Sequence, residues 1–278
     1  MKSIPDIVHQ CAHRFDINVR AELVQTSSAA LFRATRANAS LVLKIGFNSQ
    51  DALREFHALR AFSGVGAIPV ADFDETLGAL LLPMAEPGEP LSSCTNDERA
   101  TQTCCTVFQR LHPAPYAAAH HESLLHHFGA MDQYQKVWAG GGPVPRVWID
   151  RAVDYLRALT ASTMEPVLLH GDLHHDNILR HEAGWVVIDP KGILGDRHFD
   201  VIQYLLNYCD RGGTPETVLA RRVTMMKEQL ALDPKRLAMW GVAKGVLDAC
   251  WALEEGRDWQ GGVRSAETFQ AQLKRSKG

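Results

Sequence analysis

Residues 168–192 read LLHGDLHHDNILRHEAGWVVIDPKG and gather three aspartates, four histidines and one asparagine around two short apolar runs. Asp172 follows an apolar run and a glycine, Asn177 lies five residues later, and Asp189 ends the strand-like run WVVI. A loop, a short hairpin (NILR, then GWVVID) and a strand end can bring these three groups to one point. Phosphoryl transfer from a nucleotide needs such a set. One carboxylate orients the attacking hydroxyl and accepts its proton, while an amide oxygen and a second carboxylate hold magnesium on the phosphates. Magnesium prefers hard oxygen ligands and keeps several waters, so few protein ligands suffice. The stretch also admits a reading of another class. HxDxHHD, from His170 to Asp176, has a passing likeness to metal-dependent hydrolases in which imidazole and carboxylate hold zinc. No further His/Asp cluster downstream completes such a site in an obvious way, and the Asn177–Asp189 pairing would go unexplained.

Upstream the chain reads as a small, mostly β lobe. AELVQT (21–26), ALFRAT (30–35) and LVLKI (41–45) are strand-like, with Arg36–Ala39 as a turn between the last two. NSQDALREFHALRAFSG (48–64) reads as a helix, with Asn48 and Asp51 as an N-cap pair and Gly64 just past its end. Ala52, Glu55, Leu59 and Phe62 share one stripe of it, which puts an acid in an apolar row. AIPVADF (67–73) and GALLLPM (78–84) complete five strands. PMAEPGEP (83–90) is then a Pro/Gly-rich break. Helical patterns follow at 95–112, 119–137, 146–162, 198–209, 214–229, 233–256 and 263–275. The expectation is an α+β, two-lobed plan: a β lobe at 1–86, a hinge at 83–91 and a helical lobe at 92–278. Ligands in such proteins sit in the cleft between the lobes.

HGDLHHDN followed by VVIDPKG resembles the catalytic and metal-binding loops of the aminoglycoside phosphotransferases, a branch of the protein-kinase-like fold. The longer wording LHGDLHHDNIL…GWVVIDPKGILGD is most similar to streptomycin kinases and the wider aminoglycoside/hydroxyurea resistance kinases. The resemblance implies a bilobal kinase-like fold with a small five-stranded antiparallel β lobe carrying one helix. It implies Asp172 as catalytic base, Asn177 and Asp189 as magnesium ligands, and ATP as co-substrate. His174 stands where many protein kinases carry a lysine directed at the transferred phosphate, so it could assist there. His170 would buttress the loop, and Asp200 would cap a helix and brace that loop.

The other parts of a phosphotransferase have candidates. A cation must meet the nucleotide phosphates, and Lys44 is the only lysine between Lys2 and Lys136. An ammonium inside a strand wants a carboxylate partner, and Glu55 is placed to be one; the plain alternative is an edge-strand lysine that guards against aggregation. The loop VQTSSAALF lacks the glycines of a protein-kinase phosphate cover. Ser27 and Ser28 could contact phosphate there, or simply form a β-turn. At the hinge, the Pro83 carbonyl and the Ala85 amide could hold adenine, or the segment could be a linker.

The acceptor is read from what surrounds the motif. Ten residues separate Asp189 from Asp200, too few for the activation segment with which protein kinases dock a peptide; no peptide substrate is expected. Asp248, Trp251 and Glu255 fall on one helical face with Glu254 near. Such a set suits a guanidinium or ammonium ligand, or is a solvated helix end with a buried tryptophan. The resemblance implies as acceptor a hydroxyl of a small cationic molecule, an aminoglycoside such as streptomycin foremost, with a metabolic alcohol, amino alcohol or sugar as the alternative. A net charge of −3 argues against a nucleic-acid partner. No apolar run approaches the roughly 20 residues that span a bilayer, and residues 1–16 lack the apolar core of a signal peptide. Six scattered cysteines fit a reduced set. A cytoplasmic protein is expected, with no membrane partner.

Overall fold

The computed structural model describes residues 3–112, 116, 120–138, 141–182 and 184–275. The chain opens with a helix, α1 (Ile4–Arg14), where the pattern reading placed none. Ser3 caps it by accepting from the Asp6 amide, the Asp6 carboxylate accepts from the Ser3 amide, and Pro5 lies in the first turn. Strands β1 (Asn18–Gln25), β2 (Ala29–Arg36) and β3 (Ala39–Gly46) lead to α2 (Ser49–Phe62), whose Asn48 cap accepts from the Gln50 and Asp51 amides. β4 (Asp72–Asp74) and β5 (Ala79–Pro83) complete an antiparallel sheet of order β1-β2-β3-β5-β4.

Alternation along these strands decides what faces the cleft. Phe32, Leu41, Leu43, Ile45 and Leu81 point to one side and form a small core with Cys11 and Phe15 of the α1 region. The intervening Leu31, Val42, Lys44 and Leu82 point to the other side, where they line a cavity. LVLKI therefore carries its lysine to the cavity face for the same reason that it buries its leucines.

Residues 67–73 depart from the expected full strand. Pro69 has no N–H to give, and Ile68 donates instead to Val187 (3.0 Å) while the Val187 amide donates to Gly66 (2.8 Å). That stretch thus couples the small lobe to the loop-bearing hairpin, and only Asp72–Asp74 joins the sheet. The Pro/Gly break also contains a strand, β6 (Pro87–Pro90), which pairs with the hairpin of β9 (Ile178–His181) and β10 (Gly184–Val187).

Helices α3 (Asp97–Leu111), α4 (Leu124–His127), α5 (Gly129–Trp138), α6 (Arg146–Ala161), α7 (Ile202–Leu206), α8 (Pro215–Leu230), α9 (Pro234–Glu254) and α10 (Gln260–Arg275) build the second region. A small sheet of β7 (Glu122–Ser123), β8 (Val167–Leu169) and β11 (Ile193–Gly195) lies among them. The continuous helix expected at 119–137 is instead β7, α4 and α5, with residue 119 outside the described residues; Ser123 caps α4 and interrupts the run. The helix expected at 198–209 is a 3-10 turn (Arg197–Val201) followed by α7. Central α9 is buried nearly all round, as a core helix should be. Its Trp240 shares one apolar core with Phe108 of α3 and with Leu59 and Phe62 of α2. Helix α2 is therefore packed on both regions. The six cysteines are free, and among the described residues no helix is long and apolar enough to cross a membrane.

Candidate active site

The Lys44 ammonium is the hinge of the site. Its Nζ lies 2.7 Å from Glu55 Oε2 on α2 and 2.6 Å from Asp189 Oδ1 after β10. Burial disfavours its charge, yet the Glu55 and Asp189 carboxylates outweigh that cost and raise its pKa above the ordinary lysine value. Burial alone would raise Asp189, but Lys44 and Lys191 hold it down at about 2. Asp189 adopts φ 59, a left-handed conformation that Asp tolerates better than most residues. It turns the carboxylate off the strand end and into the cleft.

The loop from His170 to Asn177 is held from below. Asp200 is 1% exposed and accepts from the His170 amide (3.0 Å) and the Gly171 amide (2.7 Å). Burial opposes its charge, but contacts with His112 and His170 and these amides leave its pKa below the carboxylate norm. The expected helix cap is corrected: Asp200 lies inside the 3-10 turn, and its side chain serves the loop. His170 is wholly buried, which lowers its pKa and keeps it neutral. One ring nitrogen then donates and the other accepts: Nε2 to the Ile188 carbonyl (2.9 Å), Nδ1 from the Asp172 amide (3.3 Å). Gly171 has φ 81, and a Cβ there would come within 3.1 Å of Lys191 and Ile193 side chains.

Asn177 Nδ2 donates to the Asp172 carbonyl at 3.0 Å. Its amide orientation is thereby set, leaving its oxygen available. The Asp172 carboxylate is partly exposed, with His174 Nε2 3.8 Å from Oδ1 and Lys191 Nζ 3.9 Å from Oδ2. His174 Nδ1 accepts from the Asp176 amide at 3.3 Å. His175 points the other way: it is buried, stacks on Tyr204 at 4.0 Å between centroids, and finds no hydrogen-bond partner for either ring nitrogen among the described residues. The imidazoles of the HxDxHHD run thus diverge, and among the described residues no group of three or more His, Cys, Asp and Glu converges to hold a metal. The hydrolase alternative lacks its ligand set.

Two cavities meet at Lys44, Glu55, Ser28 and Asp189. The first, of about 480 Å³, is walled by Leu31, Val42, Leu82, Leu179 and Ile188, with Pro83, Met84 and Ala85 at its rim and Asn177 at its floor. Among the hinge groups the Met84 amide is already spent on the Ser40 carbonyl (3.0 Å). In the loop before β2, Ser28 lines both cavities, whereas exposed Ser27 lines neither. Thr26, which the sequence reading passed over, organises that turn by accepting from the Ser28 and Ala29 amides.

Of the four residues proposed for the acceptor, Trp251 and Glu255 line the second cavity, of about 530 Å³, and Asp248 and Glu254 do not. Asp248 is paired one helical turn back with Lys244, and Glu254 is exposed at the end of α9. The Lys244 ammonium already lies 5.3 Å from the Trp251 ring centroid, and Glu255 pairs with Arg257 at 2.6 Å. The acidic set read along one helix is therefore divided and partly neutralised. In its place come residues from other segments: Arg54 ion-paired with both Asp51 and Glu122, neutral His127, and Lys191. Burial, followed by the Lys244 charge, lowers the His127 pKa to about 4. Lys191 sits 3.2 Å from Asp189 Oδ2. Its only sequence signal was adjacency to Asp189.

The chain is 27% identical over 262 residues to a streptomycin 6-kinase of Streptomyces griseus, spanning 91% of this chain and 84% of the relative. It is 28% identical to a streptomycin 3''-kinase of Klebsiella pneumoniae (84% and 88%) and 26% identical to a hydroxyurea phosphotransferase of Kitasatospora aureofaciens (92% and 75%). In fold it matches the aminoglycoside phosphotransferase APH(4)-Ia in ternary complex with ADP and hygromycin B, with TM-score 0.70, 15% identity and 100% of both chains covered. A choline kinase of Streptococcus pneumoniae gives TM-score 0.68 at 15% identity, covering 98% of each chain. The bilobal kinase-like fold is thus shared with both. The family model for aminoglycoside/hydroxyurea antibiotic resistance kinases matches residues 14–256, and the chain belongs to that family of small-molecule kinases.

Proposed function

We propose that this kinase transfers the γ-phosphoryl group of ATP to a hydroxyl of an aminoglycoside, streptomycin first among them. The observation that carries the reading is the meeting of two cavities at Lys44 and Asp189, with the Asp172 carboxylate, which lines neither, 3.9 Å from Lys191 of the second. The first cavity would take the nucleotide, with adenine among the apolar walls against the Pro83 carbonyl and Ala85 amide. Lys44, oriented by Glu55, would meet its phosphates, and Ser28 would approach from the loop above. Asn177 and Asp189 offer hard oxygens that fit magnesium; the bound ion would offset charge on the phosphates. Asp172 would orient the acceptor hydroxyl and take its proton, with His174 at its flank. We take residues 1–86 as the nucleotide lobe, 83–91 as the hinge and 92–278 as the lobe that carries acceptor and catalytic loop.

Holding both substrates in adjoining cavities makes the reaction effectively unimolecular. General-base help is worth about 10²–10⁴ in rate. The test is label transfer from γ-labelled ATP and magnesium to streptomycin, other aminoglycosides, amino alcohols and sugars. Asp172→Asn should lose turnover by at least about 10²-fold and keep the fold. Retained turnover in that variant would sink the assignment.

One observation favours a less charged acceptor, such as an amino alcohol. Arg54 occupies Asp51 and Glu122, so the second cavity is less acidic than a polycation would require. Label on an amino alcohol with streptomycin untouched would decide for it.

A further inference from the structure

We infer that Lys191 is a catalytic residue, the cation that meets the phosphoryl group in flight. This rests on the kinase reading above. The carboxylates proposed to hold the hydroxyl and the metal are Asp172 and Asp189, and the group in transit must pass between them. Lys191 Nζ stands at that place, 3.9 Å from Asp172 Oδ2 and 3.2 Å from Asp189 Oδ2. Lys44 approaches the opposite oxygen of Asp189, Oδ1, at 2.6 Å. The two ammonium groups therefore flank one carboxylate: Lys44 stands where the two cavities meet, and Lys191 lines the acceptor-side cavity alone.

The loop from His170 to Asn177 holds no lysine or arginine; His174 turns Nε2 toward Asp172, while its Nδ1 accepts from the Asp176 amide. The lysine is held where it is by its backbone: the Lys191 amide donates to the His170 carbonyl at 2.6 Å. Its side chain is 40% exposed, so the ammonium can follow a moving group. The tight approach of Gly171 to the Lys191 Cβ, 3.1 Å for an added methyl, keeps that stem against the loop.

In the step itself the acceptor oxygen forms a bond to the γ-phosphorus as the bond from that phosphorus to the bridging oxygen breaks. ADP leaves with the electron pair, and the hydroxyl proton goes to the Asp172 carboxylate. Lys191 exchanges no proton; its positive charge faces the equatorial oxygens of the phosphoryl group, where charge is spread in the transition state. Before nucleotide arrives, the same ammonium offsets the two carboxylates.

The experiment compares wild type, Lys191→Met, Lys191→Arg and Asp172→Asn. It measures γ-label transfer to the best acceptor of the wild type, or to water where no alcohol accepts, and MgADP affinity by calorimetry. MgADP lacks the transferred group. Lys191→Met should bind MgADP within about twofold of wild type, keep its melting temperature, and lose kcat by about 10²–10³-fold with little change in the KM for ATP. Lys191→Arg should recover at least about a tenth of the rate, because the charge is restored. Turnover of Lys191→Met close to wild type, with Asp172→Asn inactive, would overturn the proposal and leave the kinase reading standing. Loss of MgADP binding in proportion to turnover would overturn it too, because the lysine would then only hold Asp189 in place. Equal rates in wild type and Asp172→Asn would remove the reading and the proposal together.

Discussion

Lys44 Nζ is within 2.7 Å of Glu55 Oε2 and 2.6 Å of Asp189 Oδ1, so one ammonium on β3 joins α2 to the strand end after β10. Three segments, two consecutive and the third 145 residues further on, depend on that one charge. Lys44 is 8% exposed and Glu55 6%, so neither could stay ionised there alone at low cost.

Lys44→Met should therefore cost stability as well as activity. Breaking a buried pair by removing one partner costs about 3–5 kcal/mol, and turnover should fall by at least about 10²-fold. The double variant Lys44→Met/Glu55→Gln should regain most of the stability and none of the turnover. Urea unfolding beside the label assay checks this, and a single variant as stable as wild type would show that the pair is not coupled.

Asp200→Ala should loosen the catalytic loop. It strands two buried amides, His170 and Gly171, each worth about 1–3 kcal/mol when left unpaired. Amide hydrogen exchange should quicken at both positions and kcat should fall, with less effect on the KM for ATP. Unchanged exchange at His170 and Gly171 would mean that the brace is not needed.

His175 should make the fold acid-sensitive. Burial first, then the Arg222 and Arg211 charges, lowers its pKa to about 3, below the ordinary histidine value of about 6.5. The unfolded chain thus binds the proton first, and the associated stability, complete above pH 6.5, is lost as pH falls from there toward 3. Since the ring works by stacking and its nitrogens have no partner among the described residues, His175→Phe should keep turnover and flatten that slope. Denaturant midpoints between pH 7 and 4 would test it; an unaltered slope in the variant refutes the assignment.

Glu122→Ala should act on the acceptor alone. Its ion pair with Arg54 is partly exposed, and such pairs contribute about 0–1 kcal/mol, so melting should barely move. The KM for a cationic acceptor should rise about tenfold, about 1.4 kcal/mol, because Arg54 loses one of its two carboxylate partners and its charge then opposes the acceptor. The KM for ATP should stay. A shift in the ATP value alone would mean that this cavity does not serve the acceptor.

The sequence by itself determined whatever depends on local period and short spacing. LVLKI placed Lys44 opposite its buried leucines, the helix period put Glu55 in an apolar stripe, and HGDLHHDN with VVID put Asp172, Asn177 and Asp189 on adjoining turns. The α1 capping box was equally local, and Ser3 with Asp6 was legible though passed over. Tertiary structure decided which charges meet. Asp248 and Trp251 share a helix face, yet Lys244 takes the carboxylate and shadows the ring. Arg54, Glu122 and Lys191 come together only because α2, β7 and the loop before β11 pack side by side. Residues 67–68 read as a strand, but the partner that came within reach was Val187. Hydrophobic period reports which face is buried; the partner of a charge or of an edge amide is set by distance in three dimensions, which no local pattern carries.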